Sequence, residues 1–134
     1  MTHRWSWGVL TAALALSGCD VVENHRVRSL VQQELGLPSI DGLSVVGRDN
    51  WGFASRGGDV ALIQLDRGTC RSVAASLGPK TLINQKSHYY RLHKAQGLTA
   101  QFVRTKRLRN KAGLLVNYAL EEASCLLARE NWYD

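Results

Sequence analysis

Proline, long apolar runs and, through the middle of the chain, acidic residues are all scarce in this sequence. Two prolines in 134 residues and no low-complexity tract argue against a disordered or linker-rich protein and for a single packed domain. The main apolar run near the N-terminus, Trp7 to Leu16, has ten residues. That is about 15 Å of helix against a hydrocarbon core of about 30 Å, so it excludes an ordinary membrane span. No internal repeat is visible. Between Asp66 and Glu121 there is no aspartate or glutamate at all. What is present is ordinary for a globular domain: 45% hydrophobic and 21% charged residues, with 17 Lys and Arg against 11 Asp and Glu for a formal charge of +6. A basic balance favours anionic partners without deciding among nucleic acid, lipid headgroups and acidic proteins.

The N-terminal residues bear on that choice. A short head carrying Arg4 precedes the apolar run, as in an export signal. The run ends in Leu16-Ser17-Gly18-Cys19, which resembles the lipobox of bacterial lipoproteins: aliphatic, small, small, then cysteine. The resemblance covers the signal and cleavage site only, and no family is assigned to the rest of the chain. It implies that residues 1–18 are removed by signal peptidase II, that the Cys19 sulfur carries a diacylglyceryl group, and that the new amino terminus is acylated. No cofactor beyond these covalent lipids is expected. One acyl chain binds a membrane marginally, whereas two or three, at about 0.8 kcal/mol per buried CH₂, hold a protein on it. Asp20 then resembles the signal that retains enterobacterial lipoproteins at the inner membrane. The usual Ser/Gly/Asn-rich spacer is absent, so residues 19–134 would form a periplasm-facing domain held close to the lipid surface.

Within that domain, Val27, Leu30, Val31 and Leu35 share one helix face and Gly36 with Pro38 ends it, which predicts a helix over 22–35. Leu43 to Phe53 and Val60 to Leu65 read as strands joined through "ASRGGD". Thr69 is a candidate N-cap for a second helix that presents Cys70, Val73, Ala74 and Leu77 on one side and stops at Gly78-Pro79. Residues 88–94, 99–107 and 114–118 read as further strands, the last two joined by a turn containing Asn110 and Gly113. The tail 118–131 favours helix by residue type, with Glu121 and Glu122 near its start and Arg129 near its end to suit the dipole, although a closing strand is the alternative. The sum is an α+β domain with about five mostly antiparallel strands and two or three helices packed on one face.

If Cys19 is lipidated, Cys70 and Cys125 are the remaining thiols, and outside the cytoplasm an even pair points to a disulfide rather than two buried free thiols. The acid-free stretch carries eleven Lys or Arg, five of them clustered as Arg104, Lys106, Arg107, Arg109 and Lys111. Arg104 and Lys106 would share one face of a strand and Arg107 the other, so the cluster reads as a charged hairpin end. A solvated edge, contact with anionic headgroups and contact with an acidic protein all fit it. Nucleic acid does not fit, because the implied compartment lacks it and no stacking motif accompanies the charges.

Enzymatic signatures are missing. "GFASRGGD" lacks the Gly-Lys-Ser/Thr ending of a phosphate loop. His88 and His93 would point to opposite sides of a strand, which argues against a shared metal. Asp49, Glu121 and Glu122 have no base or nucleophile at telling spacing. Trp51, Phe53, Trp132 and Tyr133 are either core residues or recognition aromatics. The expected function is therefore a non-enzymatic, membrane-anchored accessory or adaptor lipoprotein that binds an envelope protein or anionic headgroups through a basic face. An inhibitor, immunity or superinfection-exclusion lipoprotein is the alternative.

Overall fold

The computed structural model describes residues 20–53, 56–95 and 101–133. The signal segment and Cys19 lie outside the described residues. Helix α1 spans residues 20–35 and is followed by β1 (Leu43–Phe53), β2 (Arg56–Leu65), α2 (Arg67–Ser76), β3 (Lys80–Leu82), α3 (His88–Ala95), β4 (Phe102–Arg109), β5 (Leu115–Glu121) and β6 (Leu126–Tyr133). The strands form one antiparallel sheet in the order β1-β2-β6-β5-β4-β3. The α+β class stands, with six strands.

Helix α1 buries Val27 and Val31, with Leu35 packed beside them. It stops where expected: Gly36 takes φ of 65°, and the Leu37 amide reaches back to the Gln32 carbonyl at 3.0 Å, the bond of a Schellman ending. Helix α2 buries Cys70 and Val73, with Ala74 and Leu77 packed nearby. Its cap is Asp66 rather than Thr69, and an Asp66 carboxylate oxygen accepts from the Thr69 amide at 2.7 Å. A carboxylate serves the positive end of a helix better than a hydroxyl, and the hydrogen bond from Thr69 holds the Asp66 carboxyl below its ordinary range.

The two helices and their loops close one core over the sheet, centred on Leu43, Ile63, Tyr118, Leu120 and Leu127. The opposite face carries a second core, Val60, Leu62, Tyr89, Val103, Ala119, Leu126 and Ala128. Both faces of the central strands are thus apolar, and α3 covers the second, so the helices do not all lie on one side.

That helix replaces the strand expected at 88–94. Tyr89 and His93 are buried and Leu92 half-buried, a three-and-four spacing that suits one helix turn better than alternation. Its first amides are also provided for: Tyr89 N–H donates to Glu130 Oε1 at 2.7 Å and Tyr90 N–H to the Ser87 hydroxyl at 3.3 Å. The carboxylate that caps α3 comes from β6, forty-one residues away, so local sequence did not reveal it.

The tail resolves to the strand alternative. β6 lies between β2 and β5, and its first six residues are all buried, so pairing on two sides and coverage on two faces outweigh the helix propensity of Leu, Ala, Arg and Glu. β2 starts earlier than expected, at Arg56, because Gly57 and Gly58 belong to the ladder. A Cβ on Gly58 would lie 2.0 Å from the Asn131 carbonyl and 2.6 Å from the Trp51 ring. The bare backbone there lets the indole lie across the sheet. The short edge strand β3 had no counterpart in the sequence reading.

Cys70 and Cys125 form a disulfide, with Cα atoms 5.5 Å apart and a sequence separation of 55. It pins α2 to the β5–β6 turn, where Cys125 takes φ of 54° and its carbonyl accepts from the Leu65 amide at 3.0 Å.

Candidate functional site

The sheet order converts the acid-free stretch into one half of the molecule. β3, α3, β4 and most of β5 lie within it, whereas Asp20 and Glu23 of α1 and the carboxylates of β1 and β2 lie toward the other edge. Asp20 and Glu23 at the start of α1 face Arg48 of β1, at 2.7 and 3.8 Å. Asp20, the expected sorting residue, is thereby the first described residue of the helix and is exposed.

Three carboxylates border the basic half, from β5, β6 and the turn between them, and each is engaged by a neighbouring group of the fold. Glu122 pairs with Arg104. Glu130 caps α3, and burial moves its carboxyl above the ordinary range although the α3 amides oppose the shift. Glu121 faces His93, with Oε2 3.9 Å from Nδ1. Among the described residues, Lys80, Lys86, Lys106, Arg107 and Lys111 make no ion pair.

Of the five clustered cations, Arg104 also donates to the Gly78 carbonyl at 3.3 Å, so it serves the fold. Lys106 pairs across the ladder with Tyr118, and Arg107 with Asn117. Alternation sends Arg104 and Lys106 to the α1–α2 face and Arg107 to the α3 face. Arg109 donates to the Gly113 carbonyl at 3.0 Å, and Lys111 is exposed on the turn. The hairpin end thus gathers Lys106, Arg109 and Lys111.

Its position is fixed by a network that the sequence reading missed. Glu34 and Arg129 form a two-point ion pair, 4% and 5% exposed, with nitrogen–oxygen distances of 2.7 and 2.8 Å. The Tyr118 hydroxyl donates to the same carboxylate at 2.5 Å and the Asn110 amide at 3.1 Å. Burial alone would raise the Glu34 carboxyl, but hydrogen bonds from Arg129, Tyr118 and Asn110 more than offset it and hold it below its ordinary value. Arg129 is desolvated too, yet Glu34 holds it in the charged form.

Asn110 is also the turn residue, its side chain accepting from the Leu114 amide at 3.0 Å. One side chain therefore shapes the basic turn and ties it to α1. The available signal was Arg129-Glu130-Asn131 following Leu126-Leu127-Ala128: in a strand, three consecutive polar residues cannot all face solvent.

Between α1 and the hairpin lies a groove of about 400 Å³. Leu30, Leu108 and Ala112 give it apolar walls, and Lys106, Arg109 and Lys111 stand along it.

On the other face, Trp51 stacks on His88 with ring centres 3.7 Å apart, and Trp132 meets Trp51 edge-on at 5.0 Å. Trp51 packs against the second core, whereas Trp132 and Tyr133 keep about two-fifths of their surface exposed. The two imidazoles lie apart, since His93 is in the core at 1% exposure. Neither of its ring nitrogens has a hydrogen-bond partner, and burial lowers its proton affinity. Among the described residues no group of three His, Cys, Asp or Glu is placed to hold a metal, and no helix is long and apolar enough to cross a membrane.

These features define a three-layer α+β domain, disulfide-stapled, with Lys80, Lys86, Lys106, Arg107 and Lys111 free of ion pairs on one half among the described residues. In comparison with known proteins, the chain matches no family model, no curated protein and no solved structure.

Proposed function

We propose that the chain is a bacterial lipoprotein anchored through lipid on Cys19, with a non-enzymatic domain that faces the periplasm and serves as an envelope accessory or adaptor. Its basic half contacts an anionic or acidic partner, and Asp20 keeps it at the inner membrane. The observation that carries this reading is the segregation of charge: the carboxylates bordering the basic half are engaged by Arg104, His93 and the α3 amides, and Lys106, Arg107 and Lys111 stay without ion pairs among the described residues. Asp20 is the first described residue of α1, so a lipid on Cys19 would hold the domain close to the bilayer, where a cation that reaches the headgroups contributes about 1 kcal/mol. A disulfide suits an exported protein.

Mass spectrometry of the protein from bacterial membranes tests the anchor. The expected chain begins at Cys19 and carries diacylglyceryl and N-acyl groups, and an unmodified chain that retains Met1 refutes the anchor. For the basic half, the triple variant Lys106→Glu/Arg107→Glu/Lys111→Glu should lose partners that co-purify with the wild type from solubilised membranes, with an unchanged melting temperature. Undiminished co-purification refutes that part.

A further inference from the structure

The groove beside the hairpin has a chemistry more specific than a basic patch. Leu30 contributes an apolar wall from α1, Leu108 and Ala112 line it from the hairpin, and Lys106 and Lys111 stand on its hairpin side without ion pairs among the described residues. The one carboxylate in its lining, Glu34, is neutralised by Arg129 and hydrogen-bonded by Tyr118 and Asn110, so it opposes an incoming anion weakly. An apolar channel beside two free ammonium groups fits an anionic amphiphile: a simple polyanion leaves the leucines unused, and a neutral acyl chain leaves the lysines unused. At about 400 Å³ the groove is in the size range of small-ligand sites, enough for a glycerol backbone and the first part of its chains.

We propose that this groove binds one anionic diacyl lipid of the membrane in which the protein is anchored, a proposal that rests on the lipid-anchored reading above. Lys106 and Lys111 hold the headgroup phosphate, and the chains start against Leu30, Leu108 and Ala112. Occupancy would orient the domain, turning the hairpin end toward the bilayer.

Native mass spectrometry of the full-length protein, purified from membranes in a mild non-ionic detergent, provides the test. Titration with dioctanoyl phosphatidylglycerol should give a saturable one-to-one adduct. Dioctanoyl phosphatidylcholine, which lacks the net charge, and glycerol phosphate, which lacks the chains, should each bind at least about tenfold more weakly. Lys106→Ala and Lys111→Ala should each weaken the adduct about fivefold. Ala112→Trp, in an exposed turn, should fill the groove and remove the adduct with circular dichroism and melting unchanged. Equal binding of either control lipid, or an adduct that survives Ala112→Trp, overturns the proposal. The same spectra report the mass of the chain itself. A lipidated Cys19 without the adduct defeats the groove alone, and an adduct on an unlipidated chain defeats the anchor alone.

Discussion

Arg129 of the central strand β6 grips both carboxylate oxygens of Glu34 on α1, through Nε at 2.7 Å and Nη2 at 2.8 Å, inside the layer between helix and sheet. The pair gives α1 a fixed register on the sheet that apolar side chains alone specify less sharply. Through Asn110 it extends to the hairpin turn, so the basic end inherits its position from a buried contact.

Breaking one side of that pair should be costly. Glu34→Ala leaves a buried guanidinium uncompensated, and chemical denaturation should show a loss of about 3–5 kcal/mol. Replacing both partners by apolar residues, Glu34→Leu with Arg129→Met, should recover much of it, and a double-mutant cycle gives the coupling. Because the folded-state carboxyl of Glu34 lies below its unfolded value, its stabilisation is present above about pH 4.3 and is lost as pH falls through the lower folded-state value. Acid titration of Glu34→Gln should lack that component.

His93 should add a second loss of stability on acidification, at higher pH than that of Glu34. The imidazole is buried with both ring nitrogens unpartnered and its proton affinity lowered by burial, so the fold favours the neutral ring. Its contribution is complete above about pH 6.5 and is lost as pH falls from there toward the depressed folded-state value. Thermal melts of His93→Leu at pH 7.5 and 5.5 should show a smaller difference than the wild type. At neutral pH the variant should be as stable or more so, because an unsatisfied polar ring has been removed.

Reduction should expose how much the single staple contributes. On the chain-entropy account, a 55-residue loop is stabilised by about 4 kcal/mol. Cys70→Ser/Cys125→Ser should unfold at correspondingly lower denaturant, and added reductant should no longer move its midpoint, whereas it lowers that of the wild type.

Gly58→Ala probes a place where an aromatic ring lies directly on backbone. Its Cβ would overlap the Asn131 carbonyl and the Trp51 ring, so the β2–β6 ladder or the indole must shift. A loss of about 1–3 kcal/mol is expected, accompanied by a change in tryptophan fluorescence as the contact with His88 loosens. Unaltered fluorescence and stability would contradict that packing.

Local pattern determined α1, the first hairpin, the face of α2 and the β4–β5 hairpin, because each depends on spacing within a few residues; the pairing of Cys70 with Cys125 was legible only on the reading that Cys19 carries lipid. Local pattern also determined the charge segregation, which needs only the order of residues. Tertiary structure decided the rest. "SHYYRLH" became helix because Glu130, distant in sequence, caps its first amides and because a second apolar sheet face awaited cover. The tail became strand because β2 and β5 bracket it, a fact no window of the tail contains. The Glu34–Arg129 pair spans 95 positions, and in each half of the sequence its partner looks like an ordinary surface charge. Short-range spacing fixes which side a residue presents; only the assembled layers determine what that side meets and how much water is left around it.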